Sequence, residues 1–150
     1  MSERTTLSAD TRSMTGKKAK QLRRQGVIPA IIYGHGQNLN IQVDNLTLQR
    51  VLRDAGTTNL IDISVGEESH TVLAREVQVH LTRGDLIHVD FYEVDMLEKL
   101  VVEAALVPVG ESAVVASGLG TVAMIIVSVE IECLPDNLIS EIEVDISKIE

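Results

Sequence analysis

Between residues 5 and 94 the hydrophobic period keeps switching. Short strand-like segments, bounded by Gly, Pro or polar clusters, are interrupted by only two stretches of helical spacing. A weak strand is expected over 5–12. Thr15 can cap a short helix over 16–25, which Gly26 ends. Pro29 leads into the apolar Ala-Ile-Ile-Tyr-Gly strand of 30–34, and Leu-Asn-Ile-Gln-Val follows at 39–43. Asp44 then caps a helix in which Leu48, Val51, Leu52 and Ala55 repeat at i, i+3, i+4 and i+7, with Gly56 closing it. Three more strands are expected over 59–65, 70–80 and 86–94. Six or so strands with two helices in this length predict a small, partly closed β-barrel.

After residue 95 the composition turns acidic and strand-rich. Expected strands lie in Leu-Val-Val-Glu-Ala-Ala-Leu-Val-Pro-Val, Ala-Val-Val-Ala, the stretch 121–134 and 139–146. The fold class read from the sequence is therefore mainly β with two helices (α+β): a six-stranded barrel domain over 1–95, then an acidic β-rich domain over 96–150. About 50 residues is near the lower limit for an independent domain, so this second module is expected to be incomplete. The 150 residues suit one domain or two small ones. With aromatics at only 2%, the core must be built from Val, Ile, Leu and Ala. Tyr33, Phe91 and Tyr92 are too few for a platform that stacks successive bases. No apolar run reaches the roughly 20 residues of a membrane helix, and the start is too polar for a secretory signal, so a cytoplasmic location without membrane contact is expected.

Charge is unevenly placed. The net charge of −9 argues against a polyanionic partner. Yet seven of the 13 basic residues, Arg4, Arg12, Lys17, Lys18, Lys20, Arg23 and Arg24, fall in the first 24 positions. Residues 1–95 carry 11 basic and 12 acidic groups, against 2 and 10 thereafter. On a helix, Lys17, Lys20 and Arg24 fall within about 60° of one another, opposite Ala19 and Leu22, with Arg23 on the flank. A solvated helix face is the plain alternative to a phosphate-binding one.

Catalytic patterns are poor. There is no phosphate-cradling glycine loop and no nucleophile elbow, and His35, His70, His80 and His88 do not match a zinc spacing. Cys133 alone makes neither a disulfide nor a zinc site and reads as a small core residue. No cofactor or metal is expected. In Ile-His-Val-Asp-Phe, His88 and Asp90 share one strand face and Ile87, Val89 and Phe91 the other. With no nucleophile nearby, the pair suits hydrogen bonding on an exposed sheet: the imidazole donating to a phosphate or base edge, the carboxylate accepting from a base amino group or a 2′-hydroxyl, or orienting the ring. Tyr33, before Gly34, can bury its ring and leave its hydroxyl to reach a sugar or phosphate. The turn around Arg83-Gly84 leaves the register open: a two-residue loop sets Val79 opposite His88, whereas a three-residue loop brings His80 or Gln78 to that face.

The succession Ala-Asp-Thr-Arg (9–12), Thr-Gly-Lys-Lys-Ala-Lys-Gln-Leu-Arg-Arg-Gln-Gly-Val-Ile-Pro-Ala-Ile-Ile-Tyr-Gly (15–34), Val-Leu-Ala-Arg-Glu-Val-Gln (72–78) and His-Val-Asp-Phe-Tyr (88–92) resembles the bacterial ribosomal protein L-twenty-five family. The segments Glu-Ile-Glu-Cys-Leu-Pro (130–135) and Glu-Val-Asp-Ile (143–146) resemble the acidic domain of its long form, the general stress protein Ctc. The resemblance implies a structural, non-enzymatic protein of the large ribosomal subunit. It would bind 5S ribosomal RNA through the minor groove of a helix widened by non-Watson–Crick pairs. It implies RNA contacts from Arg12, Lys17, Lys20, Arg23, Tyr33, His88 and Asp90, with neighbouring ribosomal proteins as partners of the acidic domain. Three departures stand out: Val79 where the family often has an arginine, Gln21 where many relatives do, and long forms that continue past Glu150. The rival readings are an enzyme and a protein–protein adaptor acting through the acidic module.

Overall fold

The computed structural model describes residues 4–12, 18–36 and 38–149. Thr15 and Lys17 lie outside the described residues. The N-terminal part is a closed barrel of six strands: β1 (Thr5–Thr11), β2 (Val27–Gly34), β3 (Leu39–Asp44), β4 (Ile61–Val65), β5 (Glu68–Val79) and β6 (Leu86–Glu93). Around the wall the order is β1-β3-β2-β6-β5-β4, with parallel pairs β1–β4 and β2–β6. Closure removes the free edges that an open sheet of this size would expose.

Alternate residues fill the interior. Leu7, Ile28, Ala30, Ile32, Ile41, Val43, Ile61, Ile63, Val72, Ala74, Val89 and Phe91 join one buried cluster. One lateral row shows how it is filled with a single large ring: Leu39 is registered with Ile32, Ile32 with Phe91, and Phe91 with the small Ala74. Helix α2 (Asn45–Ala55) closes one end of the barrel, contributing Leu48, Val51 and Ala55 to the same cluster. Its cap is Asp44, whose Oδ2 accepts from the Thr47 N–H at 3.0 Å, and Gly56 ends it with φ +61°. Helix α1 (Lys18–Arg24) packs on β2 from outside and buries Leu22.

Two irregularities on β6 and β5 re-aim side chains. An extra residue, Arg75, interrupts the pairing between Ala74/Phe91 and Glu76/Asp90. A second, Ile87, sits between His88/Gln78 and Leu86/Val79. The strict alternation expected for 86–94 therefore fails at its start, and Leu86 rather than Ile87 joins the core cluster.

The second module is a three-stranded sheet, β8-β7-β9, from β7 (Leu100–Val109), β8 (Ser128–Cys133) and β9 (Glu141–Asp145). Leu100 and Val102 form a second core with Leu60, Leu73 and Val94 on the outside of the barrel. Cys133 is half-buried against it. Arg75 adds a tie: its guanidinium donates to the Val101 carbonyl at 3.3 Å and lies 5.7 Å from the Tyr92 ring centre. The opposite face of this sheet is a field of carboxylates. Glu103 is registered with Glu130, and Glu132, Glu141, Glu143 and Asp145 project on the same side, all exposed.

Two expectations are corrected here. Ala113–Ala116 is not a strand but a short helix, α3, capped by the buried Ser112, whose Oγ also donates to the Ile149 carbonyl at 2.8 Å. The strand expected across 121–134 occupies only Ser128–Cys133, because the β7–β8 pairing ends at Ala105/Ser128.

Three carboxylates accept short-range hydrogen bonds that favour their charged form. Asp44 is held below the ordinary aspartate pKa, first by the Thr47 backbone N–H and then by its hydroxyl. Asp95 is lowered chiefly by the Leu97 N–H and Asp145 by the Ser147 hydroxyl. A folded-state pKa below the unfolded one contributes stability above the ordinary carboxylate range, and that contribution is lost as pH falls through the folded value. Asp44→Asn keeps an oxygen acceptor for the helix but does not titrate. We expect it to leave the melting temperature near neutral pH almost unchanged and to shrink its fall on acidification, measured by circular dichroism.

Candidate nucleic-acid interface

The outward side chains of β3, β2 and β6 form the site. Because Ile41, Ile32, Val89 and Phe91 point inward, their chain neighbours Asn40, Ile31, Tyr33, His88, Asp90 and Tyr92 point out. The register lines them up. Asn40 pairs with Ile31 and Ile31 with Asp90. Arg12, just past β1, joins the same row: its N–H donates to the Asn40 carbonyl at 2.9 Å and its guanidinium reaches Asn40 Oδ1 at 3.5 Å. Arg12 and Asp90 are thus three strand spacings apart, about 14 Å along the wall, although 78 positions separate them in sequence.

His88 and Asp90 are in direct contact, with Nδ1 2.7 Å from Oδ1 and side-chain exposures of 26% and 27%. Half-burial holds the pair in place while leaving it reachable. A carboxylate only accepts, so the imidazole proton sits on Nδ1. In the neutral ring Nε2 is then an acceptor, and it donates only when the ring is doubly protonated. This narrows the donor role expected for His88. Opposite His88 stands Gln78, not Val79. The hairpin is longer than either loop considered: the His80 N–H donates to the Asp85 carbonyl at 2.8 Å, leaving four residues, 81–84, in the loop. Tyr33 lies level with Tyr92, their rings edge-to-face at 5.7 Å. The ring is therefore not the core group that the sequence suggests but a partly covered one on the outer wall.

The basic helix joins this face through one hydrogen bond. Arg23 donates from its terminal nitrogen to the Ile87 carbonyl at 3.1 Å, next to His88. Ile87 is the bulged residue of β6, so the same irregularity that moves its side chain out of the alternation presents its carbonyl to the helix. Beside Arg23, a groove of about 850 Å³ runs between α1 and the β5–β6 hairpin, with Lys20, Arg24, His80 and Arg83 among its lining.

Of the residues singled out from sequence, Arg12, Tyr33, His88 and Asp90 lie on one wall and Lys20 and Arg23 on the adjoining helix. Arg24, part of the basic helix face expected from sequence, lies there too, whereas Asn40 and Arg83 are additions from the structure. Asn40 carries no signal without the strand register, whereas Arg83 is visible as a basic position in a turn. Among the described residues no group of three metal-capable side chains comes together, and no helix is long and apolar enough to cross a membrane.

The wall and the adjoining helix bring cations, a held imidazole–carboxylate pair and amide groups onto neighbouring surfaces. Comparison with known proteins gives the chain its family. Residues 7–91 match the model of the Ribosomal L25p family, and residues 99–150 that of the ribosomal protein TL5 C-terminal domain. The large ribosomal subunit protein bL25 of Roseiflexus castenholzii is 38% identical over 98% of this chain and 68% of its own length. That of Syntrophobacter fumaroxidans is 38% identical over 96% and 75%. That of Geobacillus kaustophilus is 41% identical over 85% and 60%. The chain belongs to the ribosomal L25p family, in its long bacterial form with a TL5-type second domain, and is a structural ribosomal protein rather than an enzyme.

Proposed function

We propose that this protein, as a ribosome-associated component of the large subunit, binds 5S ribosomal RNA through the outer wall of β3, β2 and β6 together with helix α1. The observation that carries the reading is the single row joining Arg12, Asn40, Ile31 and Asp90, with His88 held against Asp90 and Arg23 tied to the residue before it. Arg12, Lys20 and Arg23 supply phosphate contacts. His88 and Asp90 meet base edges or 2′-hydroxyls, a combination suited to the wide minor groove of an RNA helix. The family model matches over residues 7–91, and the relatives named as large-subunit proteins support the ribosomal setting. Lys17 belongs to the same basic segment and is included in the proposal on its charge alone.

Residues 1–95 act here as the RNA-binding unit and 96–150 as a separate acidic one. The carboxylate face of the second sheet repels phosphate, so it is turned away from the RNA and suits a basic protein neighbour.

A gel shift of 5S rRNA at moderate salt tests the reading. We expect a complex that weakens steeply with salt, as counterion release requires, and that is reduced by Arg12→Ala. No shift even at low salt would remove the proposal. Deleting 96–150 is a weaker test, because Leu100 and Val102 help cover the barrel.

A further inference from the structure

The groove between α1 and the β5–β6 hairpin adjoins the wall that carries His88 and Asp90. Its charge is lopsided: Lys20, Arg23, Arg24 and Arg83 line it, against one carboxylate, Asp85. We infer that this groove is a second RNA contact, a seat for the sugar–phosphate backbone of the strand that leaves the His88–Asp90 wall, with the hairpin as its outer jaw. The inference rests on the RNA-binding reading given above and extends it to residues 80–85.

Three features support the assignment. The groove is continuous with the wall, since Arg23 lines it and is anchored to the carbonyl of Ile87, the residue before His88. The hairpin is built as a donor surface. His80 Nδ1 accepts from the Thr82 and Arg83 backbone N–H groups, both at 3.4 Å, so the donor of its neutral ring is Nε2–H. Arg83 spends only Nε on Asp85, at 3.2 Å, which leaves its two terminal nitrogens for another acceptor. Finally, among the described residues the lining holds no Phe, Tyr or Trp and four cationic side chains. It is weighted toward charge, which suits a backbone read without regard to sequence. Asp85 occupies the position of an internal competitor: a carboxylate on Arg83 that a phosphate must share or displace.

The test compares the full chain with Arg24→Ala, Arg83→Ala and Asp85→Asn, titrating 5S rRNA and an unrelated RNA duplex from low to moderate salt. Arg24→Ala and Arg83→Ala are expected to weaken both RNAs by about three- to tenfold and to flatten the salt slope by about one each. Asp85→Asn is expected to tighten both, a gain that a folding defect cannot produce. If the unaltered chain binds 5S rRNA while all three variants match it in affinity and slope, the groove is not an RNA contact and the wall stands alone. If the unaltered chain binds no RNA at low salt, the wall and the groove fall together. Loss confined to 5S rRNA would also overturn the backbone assignment, because a phosphate seat does not distinguish sequences.

Discussion

Phe91→Ala is expected to lower the unfolding free energy by roughly 3–5 kcal/mol, the usual cost of emptying a fully buried aromatic site. Phe91 is 0% exposed, and its ring fills the barrel level with Ile32 on one side and the small Ala74 on the other. A cavity there has only short side chains on the β5 side with which to close. Since small domains are held by about 5–15 kcal/mol, the loss takes a large share of the total. It also reaches the candidate RNA face, because Phe91 is the inward neighbour of Asp90 on the same strand. Urea unfolding followed by circular dichroism measures the effect. A destabilisation below about 1 kcal/mol would mean that the site collapses freely, and that the ring does not set the position of β6.

The second large effect concerns binding. His88→Ala is expected to weaken 5S rRNA binding by roughly three- to tenfold, the range for losing a hydrogen bond between uncharged groups. Asp90→Ala removes the acceptor that holds Nδ1 and a group able to read a base amino group. Its expected signature is different: reduced preference for 5S rRNA over unrelated RNA, by about 1–3 kcal/mol of discrimination. Lys20→Ala, by contrast, should weaken all RNAs alike and flatten the salt dependence. Affinities of the three variants for two RNAs separate these roles. If Asp90→Ala weakened every RNA equally, the carboxylate would keep only its orienting role toward His88.

Much of the barrel could be read from residues alone, where local signals and burial agree. Asp44, Leu48, Val51 and Ala55 mark one capped amphipathic helix, and each plays its expected part. The pairing of His88 with Asp90 followed from a period of two, which the bulge leaves intact above residue 87. Where the sequence misled, a tertiary constraint decided. Ala-Val-Val-Ala has no polar residue to reveal a period, and a capping serine tied to a distant carbonyl turned it into a helix. Residues 121–127 are apolar enough for a strand, yet the β7–β8 ladder stops short of them. Ile87 left the alternation because β6 carries an extra residue there, which no local pattern announces. The link between Arg12 and Asn40 depends on β1 lying beside β3, a neighbour relation set by barrel closure. The basic cluster was visible as charge. That it meets the late His-Asp strand was visible only through the likeness to a known family, and the register now gives that meeting a physical path.

The most direct test of the central claim is backbone amide mapping by NMR during titration of the intact chain with 5S rRNA. The account predicts shifts concentrated at Arg12, Arg23, Ile31, Asn40, His88 and Asp90, with Glu130, Glu141 and Glu143 on the acidic face unmoved. Shifts concentrated on that acidic face, or on the far wall around β4, would contradict it.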